Sequence, residues 1–171
     1  RFEELQAVSA RYAMPIGSKG VILYIGGLAA QASPGGEAAA LDVSSSSYSL
    51  EARLRTPLHR SRSSALYLET ALLFARTKVT ALETEITRDK IASTQIGLRG
   101  RHQSSLGLTT AQVFVNSGLR VFGALDEYNP IPSVSGFEPD FIKVSWQIDH
   151  VFPLDTNASF LTRVVGQWTA D

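Results

Sequence analysis

The chain has 171 residues, 44% of them apolar and only 19% charged, with 16 Lys plus Arg balancing 16 Asp plus Glu. A zero formal charge leaves no basic footprint for nucleic acid, and no run approaches the ~18 apolar residues that a membrane helix needs. One domain's worth of chain remains, and if it crosses a membrane it must do so as a β-barrel, which satisfies its backbone groups without helices.

Cysteine is absent, which suits a bacterial envelope and the cytosol alike. The sequence opens at Arg1-Phe2-Glu3-Glu4 with no start methionine and no signal-peptide pattern. It ends at Trp168-Thr169-Ala170-Asp171 inside a strand-like segment, so we expect an internal fragment of a longer protein.

Residues 4–14 form the first predicted strand, with Val8, Ala10, Tyr12 and Met14 in one parity. The turn Pro15-Ile16-Gly17-Ser18-Lys19-Gly20 leads into a long apolar strand over 21–33, in which Ile22, Tyr24, Leu28 and Ala30 share a parity. Its Gly26, Gly27 and alanines are weak strand formers, tolerated where a barrel wall curves tightly. Pro34-Gly35-Gly36-Glu37 and Ser44-Ser45-Ser46-Ser47 are expected to bracket a loop.

The clearest pattern follows. Over residues 48–58, Tyr48, Leu50, Ala52 and Leu54 alternate with Ser49, Glu51, Arg53 and Arg55, the period-two signature of a strand between two different solvents. A polar turn at 59–64 precedes residues 65–74, where Leu66, Leu68, Leu72 and Phe74 continue the apolar side. Beyond them the strand is expected to continue through Arg76-Thr77-Lys78-Val79 into a charged loop over residues 83–90. Val79, Leu82 and Ile86 fit either a short helix or a hairpin projecting into water, and the sequence leaves both open.

Residues 91–103 alternate Ile96 and Leu98 against Gln95, Arg99, Arg101 and Gln103. Residues 109–119 alternate Ala111, Val113 and Val115 against Gln112, Phe114 and Asn116. A Gly/Pro-rich loop covers 123–136. Residues 141–152 then set Val144, Trp146 and Ile148 against Lys143, Ser145, Gln147 and Asp149, and residues 158–169 set Phe160, Thr162, Val164 and Trp168 against Ser159, Arg163, Gln167 and Thr169.

The fold class is therefore all-β: an antiparallel up-and-down meander of about eight strands, part of a larger transmembrane β-barrel. Strands of about ten residues, joined alternately by short turns and long loops, describe an outer-membrane barrel, whereas sandwich strands average about five or six. Tyr48, Phe74, Trp146, Phe152, Phe160 and Trp168 fall largely near strand ends on the apolar parity, where an aromatic girdle belongs. Cations facing lipid at mid-membrane cost roughly 2–4 kcal/mol each, so the charged parity must face a wet lumen. The expected lumen-lining residues are Glu51, Arg53, Arg55, Arg99, Arg101, Lys143, Gln147, Asp149, Arg163 and Gln167. They line a translocation path, or they are simply the hydrated and mutually paired groups that any lumen needs.

Residues 50–62, Leu-Glu-Ala-Arg-Leu-Arg-Thr-Pro-Leu-His-Arg-Ser-Arg, with Leu66-Tyr67-Leu68 after them, resemble the strand, Pro-Leu, Arg-Ser-Arg, strand hairpin of two-partner-secretion transporters. These are the haemolysin-activator and filamentous-haemagglutinin type outer-membrane barrels. Residues 12–20 and the segments from Phe141-Ile142-Lys143-Val144 to Val165-Gly166-Gln167 look similar too. The resemblance implies a barrel of about sixteen strands behind two periplasmic domains, and an Arg-bearing loop that folds into the lumen after the strand ending in Gly-Gln. If Gly166-Gln167 is that strand, the fragment carries the conduit wall without the recognition parts, and alone it would be an open sheet with unpaired edges and not a working pore. The implied partners are a secreted haemolysin or adhesin, outer-membrane lipid and the barrel assembly machinery, with localisation in the bacterial outer membrane.

His59, His102 and His150 all fall near the short-turn end, but their spacing matches no ligand motif, so we read them as turn or interfacial residues. Asn157-Ala158-Ser159 is read as turn chemistry. No nucleophile elbow or other catalytic signature is present, so neither an enzyme nor a cofactor is expected. The competing readings are another outer-membrane barrel (an assembly factor or diffusion porin) and a soluble β-barrel ligand-binding module.

Overall fold

The computed structural model describes residues 5–33, 42–121, 141–155 and 157–170. They form eight strands: β1 (Leu5–Ile16), β2 (Val21–Ala32), β3 (Ser44–Arg60), β4 (Ser64–Ala81), β5 (Thr84–Ser104), β6 (Gly107–Gly118), β7 (Ile142–Pro153) and β8 (Ser159–Ala170). All lie in one antiparallel sheet in sequence order, so the meander expected from the alternation is the observed topology.

Register follows from side-chain chemistry. Directly opposed residues share a face, and Leu50 opposes Phe74, Ala52 opposes Leu72, and Arg55 opposes Glu69. A slip of one residue would turn Arg53 and Arg55 onto the apolar face of the neighbouring strands. The same logic carries across to β8, where Trp168 opposes Val144 and Arg163 opposes Asp149. One face therefore carries the charges and the other the aliphatic and aromatic residues.

The turns are set locally. Gly17 and Gly20 adopt φ of 64° and 76° in the β1–β2 connection, a region that glycine enters without a Cβ clash. Between β3 and β4, the Ser61 amide donates to Ser64 O at 2.7 Å and the Ser64 amide to Ser61 Oγ at 2.9 Å. Ahead of that turn the register shifts between Pro57 and His59, a bulge at the residue type that lacks a ladder N–H. At the β7–β8 turn, Asp155 Oδ1 accepts from the Asn157 and Ala158 amides at 2.6 and 2.9 Å, so the expected turn chemistry is supplied by the aspartate.

Three expectations need correction or completion. Ser44–Ser47 belong to β3, which starts four residues before Tyr48, because β4 runs on beyond the apolar stretch and its threonines meet the serines: Ser44 Oγ lies 2.7 Å from Thr80 Oγ1, and Ser47 Oγ 3.3 Å from Thr77 Oγ1. Of the two alternatives for Val79, Leu82 and Ile86, the hairpin is the one observed. β4 and β5 continue as a long hairpin closed by Leu82 and Glu83, both at positive φ (50° and 60°), the turn geometry that follows strand twist. Third, Ile22, Tyr24 and Leu28 of β2 stand on the charged face, since Tyr24 opposes Arg53 and Leu28 opposes Ser49. The loops expected at 34–37 and 123–136 lie outside the described residues.

Burial is inverted relative to a soluble domain. Leu50, Leu72 and Trp168 on the apolar face are 62%, 58% and 60% exposed, while Glu69 on the charged face is 1% exposed. Of the buried apolar residues, Ala65, Ala71 and Phe114 share Glu69's face, while Ala92 lies on the other, opposite Phe74. A soluble module would cover the apolar face with a second layer. Among the described residues there is none.

Candidate functional site: the charged face

Glu69 is the hub of this face. From the middle of β4 it accepts Arg55 Nε at 2.7 Å and Arg53 Nη1 at 3.4 Å from β3, and Arg99 Nε of β5 approaches to 3.7 Å. Arg53 is held from its other side by Glu51 at 2.7 Å. Arg55 also reaches the Tyr24 hydroxyl at 3.3 Å, with its guanidinium 5.3 Å and 5.7 Å from the Tyr24 and Tyr67 ring centres. Arg99 lies 5.8 Å from the Phe114 ring. Aromatic faces and charge-assisted hydrogen bonds together fix guanidinium planes that would otherwise sample many rotamers.

Phe114 owes its place to Gly97. The two oppose each other across β5 and β6, and a Cβ at Gly97 would run into the Phe114 ring and the Val113 carbonyl. On the other face Trp146 lies over Gly166 in the same way. Trp146 thus departs from the expected girdle: it sits mid-strand, covering bare backbone. Phe152 and Phe160 do pair at the short-turn end, with ring centres 6.2 Å apart.

A second group sits on β7 and β8. Asp149 accepts Arg163 Nε at 2.7 Å and Nη2 at 3.3 Å, and Gln147 Nε2 at 2.7 Å. Between the groups runs a polar wall of Tyr67, Arg99, Arg101, Gln112, Gln147 and Asp149.

All ten residues singled out from the sequence lie on this face by register. Glu51, Arg53, Arg55 and Arg99 are brought together at Glu69, and Gln147, Asp149 and Arg163 form the second group. Arg101, Lys143 and Gln167 stand apart. The sequence reading missed Glu69 itself, along with Tyr24 and Tyr67. The alternation alone placed Glu69 on the parity opposite Leu66, Leu68 and Leu72, but its arginine partners come only with the strand register. Two of the three histidines bond across strand pairs. His102 Nδ1 lies 2.8 Å from Ser64 Oγ and His150 Nδ1 2.8 Å from Thr109 Oγ1, each across one strand pair. No grouping able to hold a metal occurs among the described residues.

A single-layer sheet with an apolar outer face and a charged inner one is the wall of a membrane barrel. Residues 3–171 match the family described as Haemolysin secretion/activation protein ShlB/FhaC/HecB. The chain belongs to that family. The family's barrels lie in the outer membrane of Gram-negative bacteria, and this chain is a piece of such a wall, as the hairpin at Pro57 to Arg62 led us to expect. Among solved structures the fold is similar to that of CdiB from Escherichia coli, with a TM-score of 0.76 at 17% identity, covering 98% of this chain and 31% of that one. The chain thus spans about a third of that relative's length. No curated protein matches the sequence.

Proposed function

We propose that this wall belongs to a transporter that passes a large exoprotein, a haemolysin or adhesin, across the outer membrane without ATP. The observation that carries the reading is the charged face, which runs from Arg11 on β1 to Arg163 on β8 and is braced by paired arginines and carboxylates. Such a wall gives a passing unfolded chain little apolar surface on which to stick. Its fixed ion pairs hold the side chains against the wall, leaving the passage open. Membership of the secretion/activation family supports the same reading. The conduit performs no covalent chemistry on its cargo. Outer-membrane lipid meets the face of Leu50, Leu72 and Trp168, and the barrel assembly machinery inserts the whole protein, whose remaining strands and periplasmic domains complete pore and recognition.

Deleting the parent gene should abolish secretion of the large exoprotein encoded beside it. Normal export in the deletion strain would overturn the assignment and favour a diffusion porin or assembly factor. Reversing Arg53 and Arg99 to Glu together should lower export or change conductance, because both guanidiniums face the passage.

A further inference from the structure

The β4–β5 hairpin carries a feature that conduit function does not use. On the outer face, the side opposite the lumen, Arg76 directly opposes Lys90 and Lys78 directly opposes Arg88. Like charges placed directly across a strand pair are destabilising, yet here two such pairs are stacked. Glu85 answers only part of this charge, accepting Arg88 Nη2 at 2.6 Å and Lys78 Nζ at 3.1 Å. Its carboxyl, beyond the apolar band, is held below the usual carboxylate range, chiefly by that Arg88 hydrogen bond. Arg76 and Lys90 make no ion pair among the described residues. Arg76, Lys78, Arg88 and Lys90 therefore gather four cations on one face of the hairpin, with Glu85 pairing two of them.

The depth of this group matters as much as its sign. On β4 the outer-face residues Leu66, Leu68, Thr70, Leu72 and Phe74 form the apolar band, and Arg76 is the next residue of that parity. Eight residues at about 3.3 Å each, tilted about 40°, rise about 20 Å, close to the apolar height of a barrel wall. The cations therefore begin where hydrocarbon ends, beside Tyr48, which opposes Arg76 from β3. The end is also defined. The β1–β2, β3–β4, β5–β6 and β7–β8 connections are short and all lie at the opposite end, so this hairpin projects on the long-loop, extracellular side.

We propose that Arg76, Lys78, Arg88 and Lys90 form a docking site for the phosphate groups of the glycolipid in the outer leaflet. The lipid's acyl chains would lie along Leu50, Leu72 and Phe74 and its phosphates would bridge the two like-charge pairs. That would turn a cross-strand repulsion into a shared ligand and anchor the hairpin against the membrane surface. The acyl chains and the phosphates call for one amphiphile, which is why a soluble anion is not the occupant.

The test is native mass spectrometry of the full-length parent, extracted in detergent and titrated with bis-phosphorylated lipid A or its dephosphorylated form. The wild-type protein should bind the phosphorylated lipid at least about tenfold more tightly, and equal binding of the two would overturn the proposal with no variant needed. Arg76→Gln with Lys90→Gln should weaken binding of the phosphorylated lipid by about thirtyfold, roughly fivefold per cation. Arg76→Lys with Lys90→Arg should keep it within about threefold. Unchanged affinity in the Gln pair, with heat-modifiable gel migration showing a folded barrel, would also overturn it. So would displacement of the lipid by millimolar inorganic phosphate.

Discussion

Glu69 and Asp149 perform the same chemistry in two places. Each is a carboxylate on the charged face gripped by arginine at 2.7 Å. Glu69 is 1% exposed with arginines arriving from the strands on both sides, whereas Asp149 is 19% exposed and its single arginine, Arg163, 56%. Position separates them. β4 has charged neighbours in β3 and β5. On β7, Gln147 and Asp149 are opposed from β6 by the uncharged Gln112 and Thr110, so the aspartate's ion pair comes from β8 alone. A shielded ion pair is costly to break singly, because the partner charges stay behind, while a wet one is worth at most about 1 kcal/mol. The contrast predicts that the same substitution will be severe at one site and mild at the other.

Glu69→Ala should therefore have the largest effect, destabilising the full-length barrel by about 3 kcal/mol in urea titrations in lipid vesicles. Three guanidiniums would be left facing one another around the gap. If Glu69→Ala and Asp149→Ala cost the same, burial is not what distinguishes the two sites. Next comes Gly97→Ala, which forces Phe114 off the backbone and withdraws the ring beneath Arg99. About 2 kcal/mol is expected, and Gly97→Ala with Phe114→Leu should recover part of it.

The β4–β5 turn extends the comparison to a place where the backbone is strained. Leu82 and Glu83 occupy left-handed conformations that non-glycine residues disfavour by roughly 1 kcal/mol each. Leu82→Asn with Glu83→Gly should raise stability by about 1 kcal/mol and slow hydrogen exchange in the hairpin, since both replacements accept that geometry. Asp149→Asn follows, with a loss of less than about 1 kcal/mol. High salt should shrink the Asp149 effect and hardly touch the one at Glu69.

The parts legible in the sequence were those where polarity alternates without exception. β3 announced its faces through Arg53 and Arg55, β5 through Arg99 and Arg101, and β7 through Lys143 and Asp149, so faces and fold class followed. β2 did not, because Ile22, Tyr24 and Leu28 are apolar or amphipathic on the charged face while Gly27 and Ala29 are small on the apolar one. Only pairing with β3 settles its parity. Glu69 was hidden for a related reason. A lone carboxylate in an apolar run gains meaning from residues fourteen and sixteen positions before it, and that proximity is a product of register. The Leu82-Glu83 turn carried no Gly or Asn to announce it. Tertiary pairing of Lys78 and Arg88 with Glu85 holds it instead.

Leu50→Ala should have the smallest effect of all. Leu50 stands next to Glu51 in the chain but on the lipid side, 62% exposed, with its methyl groups over the backbone of Gly27. Removing it exchanges contact with acyl chains for slightly more contact with acyl chains, so the loss is about 0.5 kcal/mol. It touches no ion pair and changes no surface that a passing polypeptide meets. Export of the exoprotein should stay within about twofold of wild type, while Arg53→Glu with Arg99→Glu, one strand face away, should not. Equal impairment by both would mean that transport senses the stability of the wall rather than its charged face.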